Sequence, residues 1–514
     1  MEVFLCHLRF IGVLLLFHIA EDNIHAINRI IVSESNVREV FSQPGCEYII
    51  NSIIDLKKTE IKIPDKSVLK FTHYGKLKNG SIVGNHTKLI GLKTVCIGVT
   101  MKGEWILPKI SDSFFDTECL TDNEIIDNIN TLQSSSIHNH IFLTKPEYRI
   151  VLNSKRKWGL ILKDNADLNI KSILSLESND LPNYAVIFAA SNVRITGGII
   201  IGDVGNHTYQ DGTTSEWGFG ILVNGSENVT IKGMRITKCI GDGIYIGGGK
   251  TDDIGDYSMA SKNIYIKNVV ADDNRRQGIS ITCADGVYIE NCLFSNTGMT
   301  EFTSPGCGID IEPNKAQSVR NVIIKKSRIL DNNKILDASV GGYTAEGNKC
   351  NVENILFEDC EITGTLCVST GSVTLIKCSM ATLGLHLAKM PKEYVIVDHC
   401  TITGGSGVTI RSVGKTTDEV NAPFYSFKYC TIGMDEVLTP GIFSMINHKG
   451  NEVSTFIIEN CNFIFPKEEK SFELIQKNCT CSFNFTKCRF DTKGRTIETN
   501  NKYFKDCIIN NYDK

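Results

Sequence analysis

The sequence lacks an excess of charge of either sign. In 514 residues, 54 Lys and Arg stand against 58 Asp and Glu, a formal charge of −4. No basic stripe and no long run of like charge is present, which argues against nucleic acid as the main partner. Long hydrophobic runs are also scarce. The one near the N-terminus, Phe10 to Ala20, is too short for the roughly 20 apolar residues a spanning helix needs. It follows Arg9 and precedes the small residue Ala26, so residues 1–26 read as a secretory signal peptide. No Cys follows that run closely, so no lipoprotein attachment site is evident, and no integral membrane segment is expected after cleavage. The expected location is secreted, periplasmic or cell-surface. Hydrophobic residues at 42% and charged residues at 22% allow a large core and argue against wholesale disorder.

What is present is a repeat. "NVRITGGII" begins at Asn192, "NVTIKGMRI" at Asn228, "NIYIKNVVA" at Asn263 and "GVYIENCLF" at Gly286. The phrase continues at Asn321, Asn354, Ser372 and Tyr394 and in four later copies, twelve in all, spaced 18 to 36 residues apart. Apolar residues alternate inside each copy, which is strand rather than helix periodicity. Turns rich in Gly, Asn and Asp follow, and then commonly a second strand of the form G-I-x-I. Short strands with a variable period of this length fit a parallel β-helix, in which coils stack about 4.8 Å apart and like positions form ladders.

Nineteen cysteines in a secreted chain would ordinarily imply disulfides. Eight of them, Cys292, Cys360, Cys378, Cys400, Cys430, Cys461, Cys488 and Cys507, share the seventh position of the phrase. A buried column of small, polarizable, unbridged thiols is the favoured expectation. Cys479 and Cys481 lie outside the column and are the likelier place for oxidation.

The expected fold is all-β: a right-handed single-stranded parallel β-helix with an N-terminal cap. The expected division is a signal at 1–26, the cap and first strands at 27–100, and the solenoid at 101–514. In the cap, "NVREVFSQPG" reads as a short helix covering the end of the first coil, and Asn79-Gly80 and Gly84-Asn85 read as turns. "DTECLTDNEIIDNINTLQSS" reads as a helical or loop excursion.

The N-[VI]-x-I-x-x-[CN]-x-[IF] phrase followed by D-G-I-x-I, as in Asn228 to Ile246, resembles the pectin lyase-like parallel β-helix superfamily over most of residues 150 to 510. That resemblance implies the fold. It implies no single activity, because the superfamily includes polysaccharide lyases, glycoside hydrolases, esterases, epimerases, tailspikes and non-catalytic adhesins. The ordered N-T-D, D-D, G-H-G and R-I-K set of polygalacturonases is not present, and neither is the epimerase Y-G-F-D-P-H signature.

Laying the G-I-x-I strands as ladders puts Gly220, Gly243, Gly278 and Gly308 in one column, and Leu222, Tyr245, Ser280 and Asp310 in an outward one. Gly247, Thr282 and Glu312 follow on the same face. Asp242, Arg275, Arg276 and Gln277 arrive just before the glycines. Asp242, Asp310, Glu312 and Arg276 are the expected catalytic residues. Asp242 and Asp310 stand two rungs apart, about 9–10 Å between backbones. That is near the upper end of the ~6.5–9.5 Å carboxyl separation of inverting glycosidases. In a lyase, an arginine would instead neutralise a uronate.

The loop from Gly202 to Gly220 adds His207, Tyr209, Asp211, Glu216 and Trp217. Of these, His207, Tyr209, Glu216 and Trp217, with Tyr245, Arg275 and Gln277, are the expected substrate-binding residues. No cofactor is required, although calcium at Asp310 or Glu312 stays open, as no spacing is diagnostic.

The reading is a secreted glycoside hydrolase or polysaccharide lyase acting on an acidic or complex glycan. The alternative is a non-catalytic glycan-binding or adhesive solenoid. Catalysis requires Asp242, Asp310 or Glu312 and an arginine to converge on an open cleft. If these carboxylates are buried, or fully paired with arginines, the catalytic reading fails.

Overall fold

The computed structural model describes residues 28–91, 96–116, 118–210, 214–249, 259–301, 303–314, 317–333, 336–341, 351–387, 394–412, 424–434, 441–446, 454–465, 473–475, 481–493, 497 and 502–510. The signal segment and Cys479 lie outside them. The chain divides into two compact units between Ile106 and Leu107.

The first unit is a seven-stranded sheet in which every pairing is parallel, as where Arg29–Val32 lies beside Glu47–Ile50 and that strand beside Val68–Phe71. Two expectations fail here. "NVREVFSQPG" forms a series of turns, with Glu39 N–H bonded to the Asn36 carbonyl, and no helix. Asn79-Gly80 and Gly84-Asn85 lie inside one strand, Lys76–Ile90, whose parallel pairing with Cys96–Ile106 resumes beyond both sites, with a register shift between Gly84 and Thr87.

The second unit is a solenoid with three strands per coil. One coil comprises Glu227–Lys232, Arg235–Thr237 and Asp242–Gly247. The next comprises Ser261–Lys267, Val270–Asp272 and Gln277–Ile281, and all three pairs are parallel and in register. First strands stack into a 15-stranded sheet, and the other two series join across a bend into a 23-stranded one. Inward Ile, Val and Leu fill the coils, giving way near the C-terminus to stacked phenylalanines such as Phe456 on Phe483, 4.6 Å between centroids. The one α-helix among the described residues, Asp122–Leu132, starts at a Thr121/Glu124 capping box. It buries Ile125, Ile126, Ile129 and Leu132 against the first strands of the solenoid.

Two corners explain the repeated phrase. Its first residue adopts left-handed backbone at Asn192, Asn228, Asn263, Asn321 and Asn354, with φ between +53° and +57°. Asn tolerates that region better than other residues with a Cβ. The side-chain amides also link the rungs. Asn228 Nδ2 donates to Asn192 Oδ1 at 3.0 Å, and Asn263 Nδ2 to Asn228 Oδ1 at 3.2 Å.

At the second corner the residue before the seventh position has positive φ in all twelve copies, from +48° at Lys326 to +74° at Gly197. The residue that follows closes the bend. Each of the eight column cysteines donates its S–H to the carbonyl two residues earlier, at 3.2–3.5 Å. Cys378 and Cys430 also donate their N–H to the sulfur of the next rung. Ser327 takes the same place with the same bonds: its hydroxyl donates to Lys325 O at 2.8 Å and accepts from Cys292 N–H. Nine of the twelve copies thus carry a small hydrogen-bonding side chain here, and Gly198, Met234 and Val269 fill the position in the other three. None of the described cysteines is bridged.

Asn228→Ala should destabilise the chain by about 2 kcal/mol, combining the left-handed penalty with lost amide bonds. Asn228→Gly should recover the backbone part only. Denaturant titration of the three proteins checks this order.

Candidate functional site

The glycine column has a steric cause. A Cβ on Gly220, Gly243 or Gly278 would lie 2.6–2.7 Å from the carbonyl oxygen of the next glycine in the column. Glycine thus lets consecutive rungs close up at the edge of the sheet, directly beside the charged residues.

The ladders run as expected. Leu222, Tyr245, Ser280 and Asp310 lie in register, as do Asp242, Gln277 and Cys307. Arg276 forms the centre of the cluster. Its Nε lies 3.3 Å from Glu216 Oε2, and its Nη1 lies 3.5 Å from Asp242 Oδ1. The Asp310 and Glu312 charges act on it as well. Burial opposes the guanidinium charge, but the four carboxylates outweigh it and hold Arg276 protonated. Gln277 links the two sides: its Oε1 accepts from Arg276 Nη1 and from Ser280 Oγ, while its Nε2 donates to Asp310 Oδ2 at 2.8 Å.

Convergence therefore holds, but the open cleft does not. Asp242 is wholly buried, Asp310 is 3% exposed, and Gln277 is buried with them, whereas Glu312 is half-buried. Burial pushes the Asp242 carboxyl up to about 6, against the pull of Arg276. Burial, followed by the Glu312 charge, raises Asp310 well above the ordinary carboxylate range. The hydrogen bond between these two side chains also favours the proton on Asp310. Calcium at Asp310 or Glu312 would have to share this space with the Arg276 guanidinium. Among the described residues, the group of three or more His, Cys, Asp or Glu with donor atoms close enough for one ion is His138, His140 and Asp167.

The loop residues are placed differently from expectation. The His207 side chain is buried rather than open to a ligand, and its Nδ1 lies 2.7 Å from Asp203 Oδ2. Tyr184 Oη donates to the other oxygen of Asp203 at 2.7 Å. Tyr209 packs edge-on to His207, and the Arg275 guanidinium lies 4.6 Å above the Tyr209 ring. Arg275 donates to the carbonyls of Thr214, Ser215 and Ile240, so it fastens the loop and is not a free cation for a uronate. Asp211 lies outside the described residues. Trp217 is exposed at the start of its strand, next to half-buried Glu216.

Tyr245 stacks on Phe219 at 4.7 Å, and its Oη lies 2.9 Å from Thr282 Oγ1. It packs with buried Ala185, Phe219 and Leu222 and with half-buried Phe188, and Phe188 in turn meets Trp158 at 6.1 Å. This apolar band leads along the stack toward the carboxylates. Sequence reasoning missed Trp158, Phe188 and Phe219, as well as Asp203 and Tyr184 behind His207. The Trp-Gly dipeptide repeated at 158–159 and 217–218 was an available signal.

Four buried polar atoms in these two adjoining clusters have no hydrogen-bond or ion-pair partner: His207 Nε2, Tyr209 Oη, Asp242 Oδ2 and Arg275 Nε.

Residues 183–315 and 255–425 match the family model described as a right-handed beta helix region. The chain is a right-handed parallel β-helix. The tailspike protein gp49 from Acinetobacter baumannii bacteriophage Fri1, a capsular polysaccharide depolymerase, aligns with 79% of this β-helix and 65% of its own chain, at 14% identity and TM-score 0.37. The tailspike of E. coli bacteriophage HK620, solved with a pentasaccharide, aligns over 78% of each chain at 10% identity and TM-score 0.42.

Two Bacillus subtilis (strain 168) proteins are nearer in sequence. Uncharacterized protein YclG is 31% identical over 51% of this chain and 44% of its own. The SPbeta prophage-derived YorA is 30% identical over 41% of this chain and 35% of its own. The matched stretch thus spans less than half the length of either relative.

Asp242→Asn should stabilise the protein in a pH-dependent way. The folded-state pKa of Asp242 lies above its unfolded value, so its contribution to stability falls as pH rises from about 4 through about 6. The stability gained by the variant over wild type should be near zero at pH 4 and roughly 2–3 kcal/mol at pH 7.5. Unfolding midpoints at the two pH values measure it.

Proposed function

We propose that the protein acts on a glycan as an inverting hydrolase, with Asp310 as general acid and Asp242 as general base. Both are buried in this arrangement, so the reading requires the site to open to substrate and water. The observation that carries this reading is the set of unpartnered buried polar atoms around Arg275 and Arg276. Buried polar groups are nearly always satisfied, and exceptions concentrate where a ligand or a proton transfer completes them.

Burial, followed by the neighbouring Glu312 charge, holds the proton on Asp310, which keeps an acid available at neutral pH. Asp242, two rungs away, is ionised above about pH 6 and has one oxygen free to take a proton from water. Arg276 and Gln277 hold the two sides apart and in register. Exposed Trp158 and half-buried Phe188, at the outer end of the apolar band, supply rings for a sugar to stack on.

Charge selects between the two reaction classes. With Asp310 protonated, Glu216, Asp242 and Glu312 outnumber Arg276, and Arg275 is occupied by backbone carbonyls. A polyuronate would be repelled, so the reading narrows from acidic or complex glycans to neutral ones and from lyase to hydrolase. Export through the residue 1–26 signal is part of the same proposal.

The burial of Asp242 and Asp310 favours a second reading, in which the band binds a glycan and the cluster is structural. A panel of neutral and acidic glycans separates the two. Hydrolysis predicts new reducing ends on a neutral glycan, no unsaturated ultraviolet-absorbing product, and losses of about 10²–10⁴-fold in Asp242→Asn and Asp310→Asn. Activity should rise with pH through about 6 and fall again as Asp310 loses its proton. Binding without turnover by wild type would establish the second reading.

A further inference from the structure

The strand Asn139–Leu143 lies on the 15-stranded sheet, several coils before Asp242 and on the sheet that does not carry it. Asn139 and Ile141 are buried, so strand alternation sends His138 and His140 to the outer surface together. Asn139 fixes this turn-to-strand junction by donating its side-chain amide to the carbonyls of Ser134 and Ile137. The next rung places Asp167 directly opposite His140. The two imidazole rings stand 4.5 Å apart and nearly perpendicular, and His140 Nδ1 lies 3.2 Å from Asp167 Oδ2. One donor atom from each of His138, His140 and Asp167 falls within 4.8 Å of the others.

We propose that His138, His140 and Asp167 bind a divalent transition metal, with zinc as the reference ion. Two imidazoles and a carboxylate suit zinc, nickel or copper and discriminate against calcium and magnesium, which take oxygen ligands. Ligands about 2.0–2.2 Å from a tetrahedral ion stand about 3.4 Å apart. His140 and Asp167 already meet that spacing, and His138, within 4.8 Å, must close to it. Both histidines are exposed, so the contraction needs only rotation of free side chains. Three protein ligands leave a fourth position open, as in zinc sites that keep an exchangeable water.

One neighbour opposes the ion. Arg194, on the following rung, donates Nε to Asp167 Oδ1 at 2.9 Å and Nη2 to Oδ2. Metal binding must take Oδ2 from that fork, so Arg194 sets the affinity without being a ligand. Lys109, in register with His140 on the preceding rung, places its ammonium 5.3 Å over the Phe142 ring.

The test uses the full chain, stripped with a chelator and kept reduced, titrated with Zn²⁺ and separately with Co²⁺ and Ca²⁺. One equivalent of Zn²⁺ should bind. Its Kd should rise at least tenfold in His140→Ala and in His138→Ala, and fall severalfold in Arg194→Ala, where Asp167 is released. Calcium should not compete. The cysteine column is a separate potential zinc sink, so Co²⁺ supplies the second readout. Bound cobalt should show a visible spectrum without a thiolate charge-transfer band. No binding, a thiolate band, or a stoichiometry unchanged in the double variant His138→Ala/His140→Ala overturns the assignment. All three substitutions lie on the surface, and circular dichroism confirms that each variant is folded.

Discussion

The solenoid depends on making the same sharp corner in every coil. A left-handed residue turns the backbone. In nine of the twelve copies the next residue adds a side-chain hydrogen bond to the carbonyl two residues back, which also accepts a backbone N–H from the preceding rung. In eight copies a thiol does so, and in one a serine hydroxyl. The bond is local, but the N–H of that residue reaches up to the sulfur or oxygen of the next rung where Cys378, Cys430 and Cys292 occupy the corner. At those three corners the side chain links its own turn to the adjoining rung. Inserted loops of different lengths leave between corners, and the parallel pairing resumes beyond them.

That repetition makes the charged rungs possible. Four carboxylates around one guanidinium would not hold together on a loop, because burial and mutual repulsion both oppose them. Here the strands carrying Asp242, Gln277 and Asp310 are fixed by their ladders, and the glycine column lets them pack closely. The rest of the solenoid supplies the stability against which raised carboxyl pKa values work. Such local destabilisation is characteristic of sites retained for chemistry or ligand recognition.

The two Arg residues, adjacent in sequence, divide the work. Arg276 faces the carboxylates, while Arg275 turns back to Tyr209 and the loop carbonyls. The loop from 202 to 220 is thereby tied to the charged rungs, with the Asp203–His207 pair buried behind it.

The sequence by itself determined the repeat, its strand character, the columns of Asn, Cys and Gly, and which residues share an outward ladder. These follow from period and alternation, which local sterics impose copy by copy. It also singled out Asp242, Arg276, Gln277, Asp310 and Glu312 as neighbours, because ladder position is arithmetic once the strands are aligned. Only the tertiary structure decided that Asp242 and Asp310 are buried, that Arg275 is a brace, that His207 pairs with Asp203, and that His138 and His140 meet Asp167. Burial and pairing depend on which side chains from distant coils and loops reach the same space. No spacing within one repeat encodes that.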